Sequence, residues 1–196
     1  MPPESFRKRI QNLERLVKEH KIYQVEITAS LDCWGPQQDY VRWGMDLENT
    51  FVPNFEYLLA QPWIRTAIHS CITSLTIKTM PEMIEKINEW NTRSQEPIDF
   101  SFDLIVGKSW LENGMHPLFF GPNVFDEDLQ RAIALMPTVT DAQQNSKRHL
   151  KGIASAINNS VADPVKIQYL RDYLTILDKR RGTSWHELFP WLKQDI

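Results

Sequence analysis

Cysteine is scarce in this sequence: Cys33 and Cys71 are the two present among 196 residues. That count excludes a disulfide-stapled scaffold, and the absence of any C-x-x-C or H-x-x-H spacing argues against a zinc finger or ribbon. Glycine is sparse too, at seven, and nowhere forms G-x-G-x-x-G or a Walker-type phosphate loop; G-x-S-x-G and H-E-x-x-H are missing as well. No apolar run approaches the length that spans a bilayer, and the opening MPPESFRKRI is polar. Neither a transmembrane helix nor a secretory signal is therefore expected, which predicts a cytoplasmic, reducing setting with two free thiols. A net charge of −3 provides no general pull toward nucleic acid or anionic membrane. Basic residues cluster at Arg7–Arg9 and Lys179–Arg181, but these short runs lie in helical patterns and read as solvated faces.

What is present suits a folded protein with one sizeable core or two small ones: 42% apolar and 24% charged residues, and seven tryptophans. Phe6, Ile10, Leu13, Leu16 and Val17 fall on one face of 5–20, predicting an amphipathic helix. At Lys21–Ile22 the period becomes two. Tyr23, Val25, Ile27, Ala29 and Leu31 then alternate with Gln24, Glu26, Thr28, Ser30 and Asp32, the pattern of a strand. Alternation returns over 65–73, where Ile68 and Ile72 oppose Ala67, His69, Cys71 and Thr73, and again over 99–106. Helical stripes at about 49–60 and 80–90 separate these strands.

Strand–helix–strand–helix–strand predicts parallel strands joined by right-handed crossovers. Parallel strands beneath helices are usually apolar on both faces, yet these keep one face polar. A partial barrel reconciles the two, with apolar side chains outward under helices and polar ones lining an interior. A half-exposed sheet with helices on one side is the alternative. The expected fold class is thus α/β: a half βα barrel of three parallel strands in residues 1–106, an irregular connection over 107–124, and a helical region over 125–196. In that last region Phe125, Leu129, Ala132, Ile133 and Met136 form a stripe closed by Pro137, and a weaker helix covers 141–157. Asp163-Pro164 reads as an N-cap, Ile167, Leu170, Leu174 and Leu177 as the next stripe, and Gly182 as its stop. Ser184 and Glu187 have capping-box spacing.

Two groups of residues invite chemistry. Ser30 and Asp32 share the polar face at the C-terminal end of a strand, where barrel active sites form, and Arg42 follows within reach of a carboxylate or phosphate. The ordinary alternative is that Asp32 caps a turn or the next helix and Arg42 pairs with it. Cys33, His69 and Cys71 are soft ligands in type, but their spacing fits no metal motif, so a lining histidine and two inert thiols are expected, with no metal.

The stretch SLDCWGPQQDYVRWG (30–44) resembles the fourth strand and following loop of radical S-adenosylmethionine enzymes, through Ser30, Leu31, Asp32, Gly35, Tyr40, Arg42 and Gly44. NFEYLL and AIHSCITSLTIKTMPEMIEKI are similar to that family's fifth unit, and LDKRRGTSWHELFP resembles the closing helix of a subset with a shortened "twitch" region. The resemblance implies part of a barrel of six strand–helix units. In such enzymes a four-iron, four-sulfur cluster reduces S-adenosylmethionine to give a deoxyadenosyl radical. By position, Ser30 and Asp32 resemble cofactor-facing residues, Arg42 a partner for the methionine carboxylate, and Ser70 and Thr73 positions near adenosine or substrate.

The family's C-x-x-x-C-x-x-C loop and its G-G-E-P segment are absent. Without three thiolates a cluster has no anchor, so this chain alone is not expected to be catalytic. It reads as the C-terminal portion of such an enzyme, contributing S-adenosylmethionine- and substrate-facing residues. Its partner would be an N-terminal cluster-bearing half, or a second copy joined at an open strand edge, with a peptide as one conceivable substrate. The alternative is a non-catalytic half-barrel module that binds a partner protein or peptide.

Overall fold

Three parallel strands, each followed by helix, form the scaffold of this protein. The structure, a computed structural model, describes residues 1–105 and 114–193. Val106 and the first part of the expected connection, 107–113, lie outside the described residues. Helix α1 (Pro3–Lys18) buries Ile10 and packs Phe6, Leu13 and Val17 against the core, as its stripe requires. Strands β1 (Val25–Ser30), β2 (Ile64–Ile72) and β3 (Asp99–Leu104) follow in sheet order β1-β2-β3. Ala29 pairs with Ile68, and Ile68 with Phe100. Tyr23 is not part of the strand: β2 begins opposite Val25, no ladder reaches further back, and Tyr23 is fully exposed.

The period of two and this register sort every strand residue onto one face or the other. Ile68, Ser70, Ile72, Phe100 and Phe102 are buried on the outer face, beneath the helices. Glu26, Thr28, Ser30, Ser101 and Asp103 are exposed on the inner face. The fold is thus a half barrel of three parallel strands with helices outside, an open sheet whose polar face is left uncovered, and a helical C-terminal region follows.

Helices α3 (Val52–Leu59, entered through a π turn at Leu47–Phe51) and α4 (Met80–Asn91) supply the outer layer. Met83, Ile84, Ile87 and Trp90 of α4 are completely buried, and Trp90 tilts against Phe55 with ring centroids 4.8 Å apart. A short helix, α2 (Pro36–Val41), opens with proline directly after Gly35, whose φ of 78° suits glycine. No apolar periodicity foreshadows it.

Helices α5 (Asp126–Leu135), α6 (Asp141–Asn158) and α7 (Pro164–Arg181) continue the same core. In α6 the fully buried Gln143 amide donates to Ile98 O at 3.0 Å, and the Ser146 hydroxyl donates to Phe100 O. These carbonyls lie on the outer edge of β3, so α6 closes that edge with side chains. The edge of β1 is treated differently. Leu31 N–H donates to His69 O, so the peptide groups of Glu26, Thr28 and Ser30 point the other way, and among the described residues they have no partner. Asp163 caps α7 by accepting from Val165 and Lys166 N–H, and Gly182 ends it in the left-handed conformation. Gly114 (φ 78°) crosses α7 so closely that a Cβ would lie 2.1 Å from Lys166 O. The Ser184 side chain makes no cap bond for α8 (Trp185–Leu188), contrary to the spacing; Glu187 N–H meets the Ser184 carbonyl, and the first N–H, that of Trp185, goes to the Asp178 carboxylate at 2.6 Å. Among the described residues no helix is long and apolar enough to cross a membrane.

Candidate functional site

Where β1 ends, its chain is drawn toward β2 by a carboxylate. Asp32 Oδ1 accepts Cys71 N–H at 2.8 Å and Arg42 Nη2–H at 3.1 Å, while Oδ2 accepts Arg42 Nε–H at 2.6 Å. This fork-on-carboxylate pair joins the strand end to the loop after α2. Just beyond, Gln38 Oε1 accepts both Asp32 and Cys33 N–H at 3.0 Å each, which turns the chain sharply. Asp32 therefore caps no helix; it organises a strand end and pairs with Arg42.

The pair forms one wall of a cavity of about 430 Å³ at the C-terminal ends of the strands. Thr73, Thr76 and Ile105 continue the wall, and α7 roofs it with Tyr173, Leu174, Leu177 and Arg181. Of the five residues expected to face a ligand, Asp32, Arg42 and Thr73 converge here. Ser30 and Ser70 do not line it. Ser30 sits one step short of the cavity on the exposed inner face. Ser70 shares the face of Ile68 and Ile72, is completely buried, and donates its hydroxyl to Asp32 O at 3.2 Å. Strand parity sends it under the helices, away from the hollow.

Neither thiol is primed for chemistry. Burial pushes the Cys33 thiol far up, and burial together with the Asp32 carboxylate raises that of Cys71. His69 is held on the open inner face: Nδ1 lies 2.9 Å from Ser101 Oγ, and Nε2 lies 3.4 Å from Asp103 Oδ2. Cys33 is wholly buried instead, and among the described residues no three His, Cys, Asp or Glu side chains are grouped to hold a metal ion.

Helix α7 supplies what the residue pattern of Lys179–Arg181 concealed. Lys179 and Arg180 are exposed, as a solvated face should be, but Arg181 turns inward. Its Nη1–H donates to Tyr40 O at 3.0 Å, and its guanidinium lies 5.0 Å from the Trp43 ring centroid and 6.0 Å from that of Tyr40. Tyr40 is buried and donates its hydroxyl to Asp178 Oδ1 at 2.9 Å. Burial and the Asp178 carboxylate push that phenol well above its ordinary value, so it remains a donor. The signal for Arg181 was present in the sequence: positions 174, 177 and 181 share one helical stripe.

A larger hollow, about 680 Å³, opens beside the free edge of β1, between Phe6, Ile27, Ala29, Phe51, Phe55 and Leu58. Its walls are mainly apolar, and Arg42 divides it from the strand-end cavity. Its lining also carries Thr28, Asp46, Thr50 and Asn54 beside Arg42; the smaller cavity is the better candidate for small-molecule chemistry because it lies at the strand ends, where Asp32, Arg42, Thr73 and Arg181 meet. No family model matches this chain, and neither a curated protein nor a solved structure does.

Proposed function

We propose that this chain is the C-terminal portion of a radical S-adenosylmethionine enzyme, inactive alone and completed along the free edge of β1 by a cluster-bearing segment. The observation that carries the proposal is the convergence of Asp32, Arg42 and Thr73 on a cavity at the strand ends of an open half barrel. The unpaired edge of β1, beside an apolar hollow, supports completion by another strand, whereas α6 already closes the edge of β3.

The residues present do not fit an iron–sulfur cluster. Cys33 is wholly buried, both thiols are biased toward the protonated form, and no third thiolate exists in the chain. They do suit part of S-adenosylmethionine. Asp32 would accept from hydroxyl or ammonium groups, Thr73 offers a hydroxyl, and the Arg42 N–H groups not engaged by Asp32 would meet a carboxylate. When bound beside a cluster supplied elsewhere, S-adenosylmethionine brings one-electron chemistry; this chain's part is to bind, orient and exclude water.

Anaerobic reconstitution with ferrous iron and sulfide, followed by equilibrium dialysis against S-adenosylmethionine, tests the proposal. The chain should acquire no thiolate-bound cluster, and it should bind S-adenosylmethionine about tenfold more weakly after Asp32→Asn. Several irons held per chain through protein thiolates, or affinity indifferent to Asp32, would overturn it. A second reading, a non-catalytic binding module, is favoured by the Asp32–Arg42 pair being satisfied internally; failure of S-adenosylmethionine to bind at all would select it.

A further inference from the structure

We infer that the strand-end cavity accepts a small molecule carrying one anionic group on an apolar body, and that Arg181 receives the anion. The inference rests on the reading of this cavity as a ligand site, and it adds the chemical class of what the site takes up besides S-adenosylmethionine.

Charge in the cavity does not balance without a ligand. Asp32 and Arg42 cancel through a two-point contact of 2.6 and 3.1 Å. Arg181 remains. Among the described residues no carboxylate lies within ion-pair distance of it; its polar contact is the neutral carbonyl of Tyr40. Asp178, one turn earlier on α7, is committed elsewhere: Oδ1 accepts from the hydroxyls of Tyr40 and Thr183, at 2.9 and 2.6 Å, and Oδ2 from Trp185 N–H. A half-buried guanidinium left with a single neutral acceptor has donors to spare.

The side chain is also held ready. The rings of Trp43 and Tyr40 flank the guanidinium, and the bond to Tyr40 O anchors one of its nitrogens. Little ordering entropy is then lost when an oxyanion docks on the remaining N–H groups. Beyond that cation the cavity is lined by Val41, Leu75, Ile105, Leu174 and Leu177, surfaces that suit hydrocarbon. A planar fork favours a carboxylate, and a phosphate monoester offers the same two-oxygen contact.

Calorimetric titration with octanoate, octyl phosphate, octanamide and octylamine tests the inference on the full chain and on Arg181→Gln and Arg181→Lys. One or both anionic probes should bind, and the tighter of the two names the acid. Arg181→Gln should weaken that probe about tenfold, Arg181→Lys less, and octanamide should respond to neither substitution. Equal binding of octanoate and octanamide, tighter binding of octylamine, or anion affinity unchanged in Arg181→Gln would each overturn the inference. Should Arg181→Gln fail to fold, salt decides on the unaltered chain: affinity for the anionic probes must fall as ionic strength rises, and salt-independent binding contradicts the inference. S-adenosylmethionine titrated in parallel separates the two readings. Anion binding through Arg181 without S-adenosylmethionine binding sinks the enzyme assignment alone, and the reverse result sinks the anion seat alone.

Discussion

Asp32→Ala should lower the free energy of unfolding by about 3 kcal/mol, within the range for removing one partner of a buried, hydrogen-bonded ion pair. Asp32 is 6% exposed and its carboxylate accepts three N–H donors from two residues. Truncation leaves Cys71 N–H without its acceptor and Arg42 without its counter-ion. Arg42 is the less costly orphan, because its side chain is 38% exposed and can rehydrate. Asp32→Ala with Arg42→Ala should therefore cost less than the sum of the single substitutions, by about 1 kcal/mol. Urea denaturation of the four proteins measures this cycle. Simple additivity would mean that the two side chains act independently of one another.

Asp178→Ala should be comparably damaging, at about 3 kcal/mol, although Asp178 lies on a C-terminal helix remote in sequence from α2, which it holds through Tyr40. It is the acceptor for the Tyr40 and Thr183 hydroxyls and for Trp185 N–H. One carboxylate thus ties α2, the end of α7 and the start of α8 together, and Tyr40 is buried, so its hydroxyl cannot turn to water instead. Asp178→Asn is the sharper test. An amide retains one acceptor oxygen but aims an NH₂ group at a neighbouring donor, so it should recover less than half of the loss. Full recovery by asparagine would show that packing of the segment, not acceptance by a carboxylate, holds the roof in place.

Much of the scaffold could be read from the sequence, because it depends on local periodicity. The alternation around Ile27, Ile68 and Phe100 fixes strands with one polar face, and the stripe of Met83, Ile84 and Ile87 fixes the helix between them. Asp163-Pro164 and Gly182 mark the bounds of α7 to the residue. What escaped depends on contacts between distant residues. Gln143 reaches Ile98 O across 45 positions, and nothing around residue 143 announces that it will close a sheet edge. Ser184 and Glu187 have the right spacing for a capping box, but Glu187 N–H bonds the Ser184 backbone carbonyl rather than its hydroxyl, and the Asp178 carboxylate holds Trp185 N–H, contacts that spacing alone does not reveal. Position by resemblance placed Ser70 with the ligand-facing residues, whereas strand parity places it under the helices, and parity prevails because it follows from the pleat itself. Arg181 was grouped by charge with Lys179 and Arg180, although its spacing from Leu174 and Leu177 puts it on the inward stripe.

On the proposed reading, Asp32, Arg42 and the roof of α7 enclose a small-molecule site. Mapping S-adenosylmethionine onto the protein by NMR of isotopically labelled isoleucine and leucine methyl groups tests it most directly. Shifts are expected at Ile105, Leu75, Leu174 and Leu177, all on the walls of the strand-end cavity, with their loss in Asp32→Asn. Shifts confined to Ile27 and Leu58 in the larger hollow, or none at any methyl group, would contradict it.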